Sequence, residues 1–158
     1  MADKVSIVVF SGELDKACAA FTIATAAAAS GKEVTLFFSC WGVNIVRKKG
    51  ASLAGDSLLS RLMNFLTRGG AENLPLSRFH FWGLGSWLMR RRMKAKNLQS
   101  IPEMMADARA LGVKFMVCDN PMAIMGLKRE ELIDEVDDIV GAASYIEQSA
   151  GAEMTLFI

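Results

Sequence analysis

Cys118 lies in a sequence context that could make its thiol reactive. Residues Val113–Val117 before it are mostly apolar, rich in residues that favour β-strands, and too few for a helix, so they indicate a buried strand. After it, Asp119 and Asn120 are good helix N-caps, and Pro121 suits the first helical turn. The pattern therefore predicts a cysteine at the carboxyl end of a strand, beside a helix N-terminus. Sites form there in open α/β sheets, and the partial positive charge of a helix start favours the thiolate.

Two arguments oppose a reactive role for Cys118. Free cysteine is among the most buried residue types and often only fills space in a core. The neighbouring carboxylate of Asp119 also disfavours a second negative charge on the sulfur. From the sequence, Cys118 is therefore either a nucleophilic thiolate or a packing residue.

Other kinds of catalytic chemistry lack their residues in this sequence. His80 is the only histidine, which excludes a multi-histidine metal site, and no GxSxG motif is present to expose a serine. There is no GxxxxGK[ST] phosphate loop, and Gly83-Leu84-Gly85 is only a fragment of a dinucleotide motif because position 88 is leucine. We therefore predict no metal site and no organic cofactor, and thiol chemistry remains.

Apolar stretches alternate with helical patterns along the chain, and this alternation predicts the fold class. Strand, helix and strand at this spacing make parallel, right-handed units, so we expect a three-layer α/β/α sandwich with a mostly parallel central sheet. Ser11 is predicted to cap the first helix, and Ser100 with Glu103 forms a capping box for a later one. The predicted strands are 5–10, 33–39, 113–117, 136–140 and 154–158, and the main predicted helices are 13–30, 56–67, 101–111, 128–135 and 141–150.

Three predicted loops leave the carboxyl ends of strands and should therefore meet at one edge of the sheet. They are Ser11-Gly12, the stretch Cys40–Asn44 and the loop after Cys118. Cys40 and Cys118 would act as a dithiol pair if their Cα atoms come within about 7 Å of each other. This redox pair is one alternative to a single reactive thiol.

Length and composition indicate one packed domain over residues 1–158, with an irregular aromatic and basic insertion at about 69–100. Just over half of the residues are apolar, and the net charge of +1 predicts no binding of nucleic acid. Three cysteines without a CxxC pattern favour a reducing compartment, so we expect a cytoplasmic protein. The longest uncharged run, between Lys16 and Lys32, is too short for a membrane span.

Residues Phe79–Lys96 form a second notable stretch, here called the aromatic-basic segment. Aromatic, leucine and methionine residues come first, and five basic residues follow: Arg90, Arg91, Arg92, Lys94 and Lys96. An amphipathic segment on a membrane surface has this composition, and so does a subunit interface or a solvated basic helix beside a core-packed loop. The alternative function is therefore that of a non-catalytic oligomeric protein that docks on a membrane or a partner through residues 79–96.

The order of several short motifs resembles the DsrE/DsrF-like sulfur-transfer proteins, in particular a longer branch with an enlarged middle segment. The motifs cover nearly the whole chain: Lys4–Gly12 with Leu14-Asp15-Lys16, Phe37-Phe38 with Trp41-Gly42 and Asn44, Ile101–Met104, Cys118 with Met122, Met125 and Gly126, and Leu156–Ile158. The resemblance implies a DsrE-like α/β fold, homo-oligomers, and a cysteine that accepts sulfane sulfur as a persulfide and relays it to a partner thiol. It also implies TusA-like or rhodanese-like proteins as sulfur donors and acceptors.

By position, the resemblance assigns the persulfide role to Cys118. We expect backbone N–H groups of the first loop and of Asn120 to stabilise the anion, and the apolar side chains of Trp41 and Met122 to lie over the thiol. The predicted pocket or anion-stabilising residues are Ser11, Gly12, Cys40, Trp41, Asn44, Asn120 and Met122.

Overall fold

The computed structural model describes residues 3–50, 55–67 and 69–158, and these residues form an open α/β fold. One parallel sheet has the strand order β4-β3-β2-β1-β5, with β1 at Lys4–Val9, β2 at Glu33–Phe38, β3 at Lys114–Cys118, β4 at Asp138–Val140 and β5 at Met154–Phe157. The α-helices are α1 (Leu14–Ala29), α2 (Leu58–Thr67), α3 (Leu84–Ala95), α4 (Ile101–Ala110), α5 (Asp119–Met125) and α6 (Ala142–Gln148). Short 3₁₀ helices occupy Cys40–Val46, Phe81–Gly83 and Arg129–Glu131. The predicted three-layer architecture is confirmed.

The two faces of the sheet are covered unequally. Successive side chains of a strand point to opposite faces, so each central strand contributes to two separate clusters. One face carries the main core under α1 and α4, where Phe21 of α1 contacts the rings of Phe38 and Phe115. The opposite face carries a much smaller cluster whose buried members are Phe37, Met116, Cys118 and Tyr145. Because burial of each large apolar side chain contributes roughly 1.5–3 kcal/mol, most of the hydrophobic stabilisation lies on the α1 and α4 side.

The capping box predicted for α4 is confirmed. The backbone N–H of Ser100 donates a hydrogen bond of 2.7 Å to the Glu103 carboxylate. Hydrogen bonds from the side chain and the backbone of Ser100 hold the pKa of the Glu103 carboxyl below its usual value. Local chemistry therefore fixes the start of this helix, as the sequence indicates.

Other helix boundaries differ from the prediction. Glu13, and not Ser11, is the N-cap of α1. The helix predicted over 128–135 is reduced to the 3₁₀ turn Arg129–Glu131, because Leu132 is already extended and pairs with Arg47 in a β-bridge. Within the described residues, no helix combines the length and the apolar character needed to cross a bilayer.

The loops after β1 and β2 are in direct contact, as predicted, and two glycines make the contact sterically feasible. A Cβ atom on Gly42 would lie 1.9 Å from the carbonyl oxygen of Val9, and one on Gly12 would lie 2.4 Å from that of Trp41. The Gly42 N–H also donates a hydrogen bond of 2.8 Å to the Phe10 carbonyl. Only glycine fits at these two positions without movement of the backbone.

We expect Gly42→Ala to destabilise the protein, because the added Cβ would overlap the Val9 carbonyl group. Overpacking costs about 1–3 kcal/mol, and the upper end applies because no flexible side chain can move aside. Gly141→Ala is the matched control, since a Cβ there would meet no atom closer than 3.6 Å. Urea unfolding followed by circular dichroism measures both variants, and equal unfolding midpoints for the two would contradict this explanation.

Candidate functional site

Cys118 is the last residue of β3 and the N-cap of α5, so it lies where the strand meets the helix, as predicted. The predicted caps Asp119 and Asn120 are instead the first residues of the helix itself. Cys118 aligns with Val140 of β4, and its neighbour Val117 belongs to the main core. The alternation of side chains therefore directs the Cys118 sulfur to the other face, into the small cluster.

The Cys118 side chain is buried, with only 4% of its surface exposed. Tyr145 of α6 belongs to the same cluster and stacks on Phe37, with 4.1 Å between ring centroids and 6° between ring planes. This finding differs from the expectation of an accessible thiol. Tyr145 connects the short helix α6 to this cluster, on the face of the sheet to which Cys118 points.

Ser6 of β1 links α6 to the sheet. Its hydroxyl lies 2.6 Å from the hydroxyl of Tyr145 and 2.9 Å from that of Ser149, within hydrogen-bonding distance of both. Ser6 is itself buried, so these hydrogen bonds satisfy a hydroxyl that would otherwise be unpaired in an apolar cluster. Two hydrogen bonds from one strand residue thus contribute to holding the helix over Cys118.

Asp119 supplies the charge next to the sulfur. Its Oδ1 atom lies 4.0 Å from the Cys118 Sγ, and the thiol is placed to donate a weak hydrogen bond to it. The same carboxylate lies against Gly141, the N-cap of α6, at the position where a Cβ atom would be 3.6 Å from Oδ2. The Asp119 carboxylate therefore lies beside both the thiol and the start of α6.

The predicted residues of the first two loops lie at the carboxyl edge of β1 and β2. Ser11 accepts a hydrogen bond of 3.2 Å from the ammonium group of Lys16. Gly12 is buried against the Trp41 carbonyl, and the Trp41 side chain is 45% exposed. Cys40 is a half-buried free thiol in the left-handed region, with φ of 45°. Such a backbone costs a non-glycine residue roughly 1–3 kcal/mol.

The remaining predicted pocket residues have other surroundings. The Asn44 side chain is buried and accepts a hydrogen bond of 2.9 Å from Arg47, whose pKa is lowered by burial. Asn120 is exposed on α5. Met122 packs in the main core, whereas Cys118 packs in the small cluster. The buried cluster of Cys118 consists instead of Phe37, Met116 and Tyr145. The roles predicted for Cys118 and for the seven pocket residues remain predictions.

Sequence reasoning missed the residues that cover Cys118. Met116 was detectable, because it precedes Cys118 by two positions in a strand and must share its face. Ser6 and Tyr145 had no such signal, since their contact joins the first strand to a helix near the end of the chain. The sequence offers only one indirect indication, which is a serine within an otherwise apolar strand.

Cys18 lies on the opposite face of the sheet from Cys118. It is half-buried on α1, and burial together with the nearby charge of Asp15 raises the pKa of its thiol. In the part of the chain that the structure describes, no group of three His, Cys, Asp or Glu side chains is arranged to hold a metal ion. Because Cys18 lies on the other face of the sheet, its rate of alkylation can serve as a reference for that of Cys118.

These features define an open α/β protein with a cysteine at the carboxyl edge of a parallel sheet. The chain belongs to the DsrE/DsrF/DrsH-like family, whose model matches residues 1–157. The resemblance inferred from the sequence motifs is therefore confirmed.

Two relatives match over almost their full length. The uncharacterized protein YrkE of Bacillus subtilis (strain 168) is 35% identical over 155 residues, which cover 98% of this chain and 96% of that protein. The sulfur carrier protein DsrE2 of Allochromatium vinosum is 28% identical over 158 residues, which cover 98% of each protein.

Two solved structures share the fold. MTH1491 from Methanobacterium thermoautotrophicum, a protein of unknown function, has a TM-score of 0.54 at 14% identity and covers 98% of each chain. YchN from Escherichia coli has a TM-score of 0.52 at 15% identity and covers 100% of each chain. At these identities the likeness shows a common DsrE-like architecture and nothing about chemistry.

We expect Ser6→Ala to expose Cys118, because it removes both hydrogen bonds that Ser6 makes with residues 145 and 149. A hydrogen bond contributes about 1 kcal/mol net, so loss of even one should speed alkylation of Cys118 by iodoacetamide about five-fold if reaction follows local opening.

Two further variants serve as comparisons. Tyr145→Phe keeps the ring that stacks on Phe37 and should give a smaller effect, and Ser144→Ala on the exposed side of α6 should give none. Peptide mass spectrometry reads the rate at Cys118 with Cys18 as the reference. Equal rates in wild type and Ser6→Ala would show that α6 does not limit access.

Proposed function

We propose that this protein carries sulfane sulfur as a persulfide on Cys118 and relays it to a thiol of a partner protein. The observation that carries the proposal is the position of Cys118 at the end of β3, at the start of α5 and beneath α6. Membership of the DsrE/DsrF/DrsH-like family supports a role in sulfur relay, as does the relative that is named a sulfur carrier.

The chemistry consists of two sulfur transfers that follow the pattern of thiol–disulfide exchange. In the loading step, the Cys118 thiolate attacks the outer sulfur of a donor persulfide. A new S–S bond forms at Cys118 as the S–S bond of the donor breaks, and the donor leaves as a thiolate that takes up a proton. In the unloading step, an acceptor thiolate attacks the outer sulfur on Cys118, which leaves as a thiolate. The transferred sulfur keeps its oxidation state, so neither step needs an oxidant or a reductant.

The burial of Cys118 suits a carrier that must protect a reactive group between two partners. Persulfides, like thiolates, react with oxidants and with other thiols that reach them. The apolar walls formed by Phe37, Met116 and Tyr145 would keep small solutes away from the loaded sulfur. Attack by a donor or acceptor thiol then requires local opening of α6, and partner binding would stabilise the open state.

Asp119 links the sulfur to α6 in this proposal. Its carboxylate lies 4.0 Å from the sulfur, where it accepts a weak hydrogen bond from the thiol. Because it also lies against the N-cap of α6, displacement of that helix would change the surroundings of the carboxylate and of the sulfur together.

The partners we propose are sulfur donor and acceptor proteins of TusA-like or rhodanese-like type, together with further copies of this chain. Each presents a cysteine thiol or persulfide, which is the group the chemistry requires. A reducing compartment such as the cytoplasm would keep Cys118, Cys40 and Cys18 as the free thiols seen in the structure.

Persulfide loading tests the proposal directly. The reduced protein is incubated with a persulfidated rhodanese, a donor protein of the proposed type, and its intact mass should rise by about 32 Da, the mass of one sulfur atom. Cys118→Ser should abolish this adduct, whereas the matched variants Cys18→Ser and Cys40→Ser should keep it. Absence of the adduct from wild type, or its retention in Cys118→Ser, would contradict the assignment. Loss of loading in Cys40→Ser as well would replace the single-cysteine carrier with the dithiol alternative.

A further inference from the structure

Helix α2 has its apolar side turned away from the rest of the protein. Its buried residues are polar: Asn64 donates a hydrogen bond of 2.8 Å to the Met125 carbonyl of α5, and Ser60 donates one of 3.0 Å to Asp56. The outward side carries five large apolar side chains that are more than half exposed: Leu58, Leu59, Leu62, Phe65 and Leu66. An amphipathic helix normally buries its apolar stripe against the core. This inverted orientation leaves the stripe of α2 without a partner among the described residues.

A second exposed apolar surface lies at the start of the aromatic-basic segment. The Trp82 side chain is fully exposed, and the other members are more than half exposed: Phe79, Phe81, Leu84, Trp87 and Leu88. The backbone adopts the left-handed region at three of these aromatic residues, with φ of 59° at Phe79, 37° at Phe81 and 57° at Trp82. Such conformations cost roughly 1–3 kcal/mol each in residues other than glycine. The fold thus accepts backbone strain to keep aromatic rings outside the core.

Hydrogen bonds join the residues just before the aromatic-basic segment to α1, and Arg90 of the segment is bonded to those residues. The Leu14 N–H donates a hydrogen bond of 2.7 Å to the Pro75 carbonyl, and Arg90 donates one of 2.7 Å to the Leu74 carbonyl. Ser77 donates hydrogen bonds to the Asp15 carboxylate from both its backbone N–H and its hydroxyl. Burial raises the pKa of Asp15, but these hydrogen bonds outweigh the effect of burial, and the pKa is lowered. The aromatic surface is therefore part of a defined structure.

Both apolar surfaces lie at the carboxyl edge of the sheet. Helix α2 packs on α5, which follows β3, and the residues before α3 pack at the start of α1, which follows β1. The opposite edge is polar, because Lys114 pairs with Glu33 at 2.9 Å and Lys32 pairs with Glu153 and Asp3. Both exposed apolar surfaces therefore lie at one edge of the sheet, away from the ion pairs at its amino edge.

The stretch of chain that carries both apolar surfaces is also strongly basic. Residues 57–100 contain eight of the 18 Lys and Arg residues of the chain but only one of its 17 Asp and Glu residues. Arg91, Arg92 and Lys94 are exposed on α3, and the Arg91 guanidinium lies 5.3 Å from the centre of the Trp87 ring. Two copies of this chain that met through these surfaces would bring like charges together, whereas an anionic lipid surface attracts apolar side chains that lie beside basic ones. The charge distribution therefore favours a lipid surface as the occupant.

We propose that this edge docks on the surface of a membrane that contains anionic lipid. The apolar side chains of α2 and of residues 79–88 enter the boundary between headgroups and acyl chains, and Arg91, Arg92 and Lys94 contact lipid phosphates. Docking orients the carboxyl edge of the sheet, where the loops after β1, β2 and β3 meet, towards the bilayer. The proposal rests on surface exposure and charge and is independent of the chemistry of Cys118.

Sedimentation with sucrose-loaded vesicles tests this docking. The full chain should pellet with phosphatidylcholine vesicles that contain about 30 mol% phosphatidylglycerol, and far less with pure phosphatidylcholine. Each basic residue near an anionic surface strengthens binding about five-fold, so Arg91→Gln with Arg92→Gln should lower the partition coefficient by roughly 25-fold. The matched control, Lys4→Gln with Lys114→Gln, removes the same charge from the opposite edge and should bind like wild type.

A second pair of variants isolates the apolar contribution. Trp82→Ser should weaken vesicle binding, whereas Ile146→Ser, a change of an exposed apolar residue on α6, should not. The proposal is overturned if wild type does not pellet with anionic vesicles, if it pellets equally with neutral ones, or if the Arg91 and Arg92 variant binds like its control. Light scattering completes the test: a stable oligomer that does not bind vesicles would assign these surfaces to a second copy of the chain and reject the membrane.

Discussion

Parallel pairing of the central strands is the constraint on which the rest of the structure depends. Because β1, β2 and β3 run in the same direction and in register, their carboxyl ends reach the same edge of the sheet. The chain then has to leave three adjacent strands in a small space. Gly12 and Gly42 allow the first two exits to touch, and the third exit ends at Cys118. This edge of the sheet therefore combines two loops in close contact with a cysteine at the end of the third strand.

The same pairing separates the two faces of the sheet, and this separation decides where the thiol lies. Val117 contributes to the main core under α1 and α4, and Cys118, one residue later, contributes to the small cluster under α6. The main core has many buried aromatic and aliphatic members, whereas the small cluster is covered by a seven-residue helix linked to the sheet through Ser6. The small cluster therefore depends on a few local contacts, and we propose that a local opening is enough to expose Cys118.

The strands and the fold class were predictable because short stretches of β-branched and aromatic residues, bounded by glycine and capping residues, have few alternatives in an α/β chain. The start of α4 was predictable for the same local reason, since Ser100 and Glu103 satisfy each other. The exposure of Cys118 was not predictable, because a sequence does not specify which helix returns to cover a given face. The orientation of α2 was also hidden: its periodicity indicates an apolar side, but only the contact of Asn64 with α5 shows that the polar side faces the protein.

The central claim is that α6 opens locally to admit a partner thiol to Cys118 while the main core stays folded. Hydrogen–deuterium exchange of the reduced protein under native conditions measures this most directly. The account predicts that the amides of α6 exchange orders of magnitude faster than those of α1 and α4. The amides of β1 and β2 should remain as protected as those of α1 and α4. Exchange of α6 at the same rate as α1 and α4, through global unfolding alone, would contradict it.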